Sequence, residues 1–172
     1  DYGGHPEFAR RLHDEMLFNL GAYMTPHVAY MQNLGLENLK ARYEYEVRNT
    51  VALVNRLRTL PAIKSVNYVG LPDNPYYELA QRQFGNTAGC MFTIDLDSKE
   101  ACFKFINSLK LIRRATNLFD NRTLAIHPAS TIFGPFNDEQ RAAMDVLDTT
   151  IRISVGMEDV YDLFDDFKQA LA

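Results

Sequence analysis

The residues with the greatest chemical capacity fall in two stretches, TNLFDNRTLAIHPASTIFG over residues 116 to 134 and IRISVGMEDV over residues 151 to 160. The first sets Asn117, Asp120, Arg122, His127, Ser130 and Thr131 among glycine and proline, a composition suited to a binding loop on a rigid scaffold. The second alternates Ile151, Ile153 and Val155 with Arg152 and Ser154, so a strand here turns Arg152 away from the aliphatic face. A guanidinium on a strand is costly to desolvate unless an anion meets it, and its planar fork suits a carboxylate. Two partners are open for it: a bound anion, or one of the chain's own acids.

Other motifs carry less. His5, His13, His27 and His127 are too far apart to pair as metal ligands, so each reads as a structural or surface histidine and no metal site is expected. The acid pairs Asp165-Asp166 and Glu158-Asp159 sit on or at the start of a helix, where a solvated face or a dipole partner explains them. Gly3-Gly4 and Gly85-Asn86 lack the strand-to-helix setting of a phosphate cradle. Ser130 beside His127 suggests a hydroxyl nucleophile and base, but loop neighbours seldom have that geometry and no third group is visible. Cys90 and Cys102 stand alone in apolar surroundings and read as reduced and buried, with a redox pair as the lesser alternative.

These groups must be positioned by a chain of 172 residues with a net charge of -4, long enough for one domain with a real core. The charge gives no basic patch for nucleic acid and no polybasic segment for anionic membranes. No apolar run reaches the length of a bilayer crossing, and DYGGHPEFARR lacks the centre of a signal peptide; a cytosolic location is expected. The absence of a starting methionine suggests that the chain begins inside a longer product.

The elements follow from periodicity. PEFARRLHDEMLF and TPHVAYMQNL read as two helices separated by Asn19 to Ala22. After Gly35, the positions Leu36, Leu39, Tyr43, Val47, Val51, Val54 and Leu57 define a long amphipathic helix stopped by Pro61. IKSVNYVG, AGCMFTIDL, LIRRATNLF, LAIHP and TIRISVG read as strands. YYELAQRQF, ACFKFINSLK, RAAMDVL and EDVYDLFDDFKQALA read as helices, the second opened by the capping-box-like Asp97-Ser98-Lys99-Glu100 and the third capped by Asn137-Asp138-Glu139-Gln140. This order predicts an α+β fold, a small, mostly antiparallel sheet with helices on one side, preceded by a helical arm. The boundary is placed near Gly35, with the arm over 1–34 and the compact part over 35–172.

The blocks GLENLKAR, VNYVGLPDNPYYELAQRQF, SLKLIRRATNLFDNRTLAIHPAST and IRISVGMEDVYDLFDDFKQAL resemble the C-terminal part of the Cys/Met-metabolism family of pyridoxal-phosphate enzymes. That family includes cystathionine γ-synthase and γ-lyase, methionine γ-lyase and O-acetylhomoserine sulfhydrylase. The resemblance implies the small C-terminal domain of a fold-type I enzyme, with the arm belonging to the end of the large cofactor-binding domain. It implies that Arg152 holds the α-carboxylate of an amino-acid substrate, assisted by Asn117. It also implies pyridoxal phosphate as cofactor, bound to a lysine in a S-x-T-K-like motif. Lys40, Lys64, Lys99, Lys104, Lys110 and Lys168 lie in no such motif, so this chain is expected to hold no catalytic or cofactor-binding residue and to be inactive alone.

Asn117 with Asp120 resembles the sulfhydrylase branch, which implies γ-replacement on an O-acylated homoserine; γ-elimination by a cystathionine or methionine lyase is the alternative. A non-catalytic, free-standing binding module is the second. Partners implied are the large domain and further copies of the chain, the family being usually tetrameric. Phe119 stands where the family usually has glycine, and Ile132-Phe133 where it commonly has Thr-His.

Overall fold

The structure, a computed structural model, describes residues 5–21 and 23–172. Gly3-Gly4 and Ala22 lie outside them. The chain divides into two compact units, Asp1–Lys40 and Ala41–Ala172.

The first unit is helical. Helix α1 (Pro6–Arg11), a π-helical stretch (Leu12–Leu17) and α2 (Phe18–Leu20) follow without interruption. Gly21 ends the run in the left-handed region at φ 68°, a conformation that costs glycine nothing. Helix α3 (Pro26–Glu37) starts where the Thr25 side chain accepts from the Val28 N–H and Pro26 occupies the first turn. Gly35 lies inside α3 rather than at a break, since one helical glycine costs only about 1 kcal/mol. The break falls at Asn38, and Leu36 belongs to α3 rather than to the long helix α4 (Leu39–Leu57).

Helix α4 carries the chain into the second unit. There follow β1 (Ser65–Asn67), α5 (Tyr77–Phe84), β2 (Met91–Asp95), α6 (Lys99–Ser108), β3 (Arg113–Arg114), β4 (Leu124–Ile126), α7 (Asp138–Ala143), β5 (Thr150–Ser154) and α8 (Val160–Leu171). The strands form one sheet in the order β1-β2-β5-β4-β3. Only β3–β4 is parallel; the other pairings are antiparallel, as expected. Asn137 and Gln140 complete a reciprocal capping box at α7, and the Ser98 side chain caps α6.

Strand alternation divides the sheet into two faces. Phe92, Ile94, Ile151, Ile153 and Ala125 pack with Leu53, Val54 and Leu57 of α4, Cys102, Phe105 and Ile106 of α6, and Leu163 and Phe167 of α8. The helices therefore cover one face. The other carries Thr93, Asp95, Thr150, Arg152 and Ser154.

Other expectations change too, RAAMDVL being helical only as far as Ala143. LIRRATNLF supplies only the two residues of β3, because the segment after Arg114 is held by local side-chain bonds instead of a ladder. The buried side of α4 runs through Glu46, Val47, Asn49, Thr50, Leu53, Val54 and Leu57, while Val51 and Leu39 are exposed.

Candidate functional site

Arg152 is the central residue of β5, set beside Thr93 of β2 and Ile126 of β4 by the register. Its guanidinium is half-buried, and burial lowers its pKa from the ordinary value. Nη2 donates to the carbonyl of Thr116 at 2.8 Å. Among the described residues no carboxylate pairs with it, so the alternative of an internal ion pair is not realised. The side chain lines an open pocket of about 590 Å³ on the face opposite the core. Asn67, Thr93 and Asp95 share its floor, and Ile132, Phe133 and Leu147 give it apolar walls.

The loop leading from β3 is stitched to β5 at two points. Arg152 takes the Thr116 carbonyl, and Ser154, two residues along the same strand face, accepts the Phe119 N–H at 3.2 Å. Asn117 lies between these anchors, exposed, with its amide donating to Asp120 at 3.2 Å. The structure thus brings Asn117 to a loop fastened by Arg152. Asp120 accepts from the Arg122 N–H, which with the Asn117 bond holds its carboxyl below the usual range. Phe119 has φ 52°, the left-handed region that glycine enters without strain and phenylalanine does not.

Gly156, the glycine of RISVG, has a different reason. An added Cβ would lie 2.5 Å from the Arg122 carbonyl carbon and from the Asn121 oxygen. Its N–H donates to Thr123 Oγ1, and the Met157 N–H donates to the Asn121 carbonyl at 2.8 Å. Glu158 completes this seam by accepting from the Thr123 N–H and hydroxyl. Its role is to hold the loop rather than to face solvent, whereas Asp159 caps α8 by accepting the Tyr161 N–H.

The remaining candidates are structural. His127 is 2% exposed, and its Nε2 donates to the Asp148 carbonyl, which leaves Nδ1 as an acceptor. Nδ1 meets Ser130 Oγ at 2.8 Å, a closer pairing than a loop was expected to give, but it also accepts the Ser130 N–H at 3.2 Å, capping a single 3-10 turn at Pro128–Ser130. Thr131 Oγ1 donates to the His127 carbonyl. Cys90 and Cys102 are free and buried, and burial pushes each thiol up to about 11. Among the described residues there is no cluster of three or more metal-ligating side chains, and no helix is long and apolar enough to cross a membrane.

Two buried acids were not legible as such. Asp166 was expected on a solvated face, as its neighbour Asp165 is with Lys168 at 2.6 Å. Instead Asp166 is 5% exposed and accepts the backbone N–H groups of Lys110, Leu111 and Ile112, each at 2.9 Å. Burial alone would raise its pKa, but these donors lower it. Glu46 is 0% exposed, and neither carboxyl oxygen has a hydrogen-bond partner in good geometry, although the Cys90 thiol is close enough to act on it. Burial raises its pKa against the opposing charge of Arg42. The spacing Glu46, Thr50, Leu53, Leu57 was the available signal, because it lies on one helical face.

Helices pack against one face of the sheet and a half-buried arginine stands on the other, an α+β domain whose family the comparisons give. The profile of the Cys/Met metabolism PLP-dependent enzymes matches residues 6–172, and the chain belongs to that family. O-acetyl-L-homoserine sulfhydrylase 1 of Thermus thermophilus is 41% identical over 153 residues, covering 88% of this chain and 36% of the relative. L-methionine gamma-lyase of Porphyromonas gingivalis is 38% identical over 152 residues, covering 88% and 38%. A Campylobacter jejuni structure, described as an O-acetylhomoserine (thiol)-lyase with a pyridoxyl-lysine phosphate, superposes with TM-score 0.89 at 34% identity, over 96% of this chain and 40% of that one. The chain thus spans about 40% of the length of these relatives.

Proposed function

We propose that this chain supplies the substrate-carboxylate clamp of an O-acetylhomoserine sulfhydrylase-like enzyme that carries out γ-replacement with sulfide or a thiol. The observation that carries the reading is Arg152: half-buried, without an internal carboxylate, and open to a pocket. Its fork would take the α-carboxylate in paired charge-assisted bonds, and Asn117, on the loop that Arg152 fastens, would add one amide donor. Together they orient the amino acid and fix which bond at its Cα faces the reacting group.

Pyridoxal phosphate would supply electron withdrawal, held by protein outside this chain. Among the described residues no lysine lines the Arg152 pocket, and Lys64, Lys99 and Lys168 are paired with Asp97, Asp148 and Asp165. On this reading residues 1–34 belong with the larger cofactor-binding part, and the chain alone is inactive. The exposed apolar side chains of the first unit, among them Phe18, Leu20, Tyr30 and Met31, support cover by that part and by further copies. The free cysteines accord with a cytosolic setting.

The likeness to L-methionine gamma-lyase favours γ-elimination as the second reading. Product analysis of the protein expressed from its complete reading frame separates them. Homocysteine formed only with added sulfide supports replacement; 2-oxobutanoate released without sulfide supports elimination.

A further inference from the structure

We infer that Arg42 and Tyr43 of α4 are positioning residues for the carboxylate clamp and act through Phe119. The inference rests on the clamp reading above. A phenylalanine in the left-handed region is strained, and such a residue persists only where its surroundings over-determine it. The Phe119 N–H is fixed by Ser154, and its ring is held by α4. The Tyr43 ring meets it edge-on with centroids 5.8 Å apart, and the Arg42 guanidinium carbon lies 4.3 Å from its centroid. Both holding groups are themselves tied. Tyr43 donates its hydroxyl to the Thr87 carbonyl at 2.8 Å, and Arg42 Nη1 donates to Asn121 at 3.1 Å.

A glycine at 119 would adopt φ 52° unaided, and the loop would owe nothing to α4. With phenylalanine there, the turn that presents Asn117 keeps its shape because two α4 side chains grip the ring. Loop order, and with it carboxylate affinity, is then coupled to residues 42 and 43, which do not line the Arg152 pocket.

A double-mutant cycle on the 172-residue chain tests this, read by amide hydrogen exchange at position 119 with the urea midpoint as the measure of global stability. Arg42→Gln and Tyr43→Leu should each speed exchange about three- to tenfold in the Phe119 background. In the Phe119→Gly background the same substitutions should change it less than about twofold. Equal effects in both backgrounds would overturn the inference, since Arg42 would then act through Asn121 alone. Tyr43→Leu gives the answer independently if Arg42→Gln fails to fold. Because exchange is read without ligand, the result stands apart from the clamp reading. In the complete protein Arg42→Gln should raise KM for the amino acid several-fold more than it lowers kcat; an unchanged KM beside a positive cycle would refute the clamp reading and leave the coupling.

Discussion

Gly156→Ala should unseat the clamp loop without touching Arg152. The added methyl would meet the Arg122 carbonyl carbon and the Asn121 oxygen at 2.5 Å, and the Asn121 carbonyl carbon at 2.7 Å, all of them backbone atoms that no side-chain rotation can move. Restoring ordinary contact requires the Asn121-Arg122 segment to retreat by roughly 1 Å, a typical overpacking shift that costs about 1–3 kcal/mol. Gly156 is not among the residues with positive φ, so close approach is the whole reason for glycine here. The retreat breaks the Met157 to Asn121 bond and drags Asp120 and Asn117 with it. Thermal unfolding of the chain should fall by about 2–4 °C per kcal/mol lost. In the complete protein a loop displaced by this amount should lower kcat/KM about 100-fold. A native unfolding temperature with unchanged amide shifts at 117 to 122 would remove loop packing as the reason for the glycine.

The two buried acids make opposite pH predictions. Glu46 has a raised pKa in the fold, so its contribution is complete below the ordinary carboxylate value and is lost as pH rises through the raised one. Glu46→Gln should therefore gain on wild type in urea midpoint as pH rises above the ordinary carboxylate value; parallel curves would mean that the acid is not buried neutral. Asp166 has a lowered pKa, so its contribution is present above the ordinary value and is lost as pH falls through the lowered one. Asp166→Asn should cost about 1–3 kcal/mol at neutral pH and flatten the acid limb, because an amide group turns donors toward backbone N–H groups. Incubation with pyridoxal phosphate and borohydride should label no single lysine stoichiometrically; complete labelling of one would show a cofactor anchor within the chain.

Most of the scaffold was readable because periodicity reports burial directly. Strict alternation placed Arg152 opposite Ile151 and Ile153, and EDVYDLFDDFKQALA gave α8. What failed depends on distant partners. LIRRATNLF has strand composition, but Asp120, Ser154 and the left-handed Phe119 draw it into a loop. Asp166 resembles a surface acid until the N–H groups of residues 110 to 112 arrive from more than fifty positions away. Glycine at 156 was visible as a motif letter, yet its cause, the backbone of Asn121 and Arg122, exists only in the folded chain.

The decisive measurement is the steady-state kinetics of Arg152→Lys in the complete protein with an O-acylated homoserine as substrate. Lysine keeps the charge and loses the fork, so kcat/KM should drop about 10- to 100-fold while cofactor absorbance stays unchanged. A wild-type kcat/KM would show that Arg152 does not hold the substrate carboxylate.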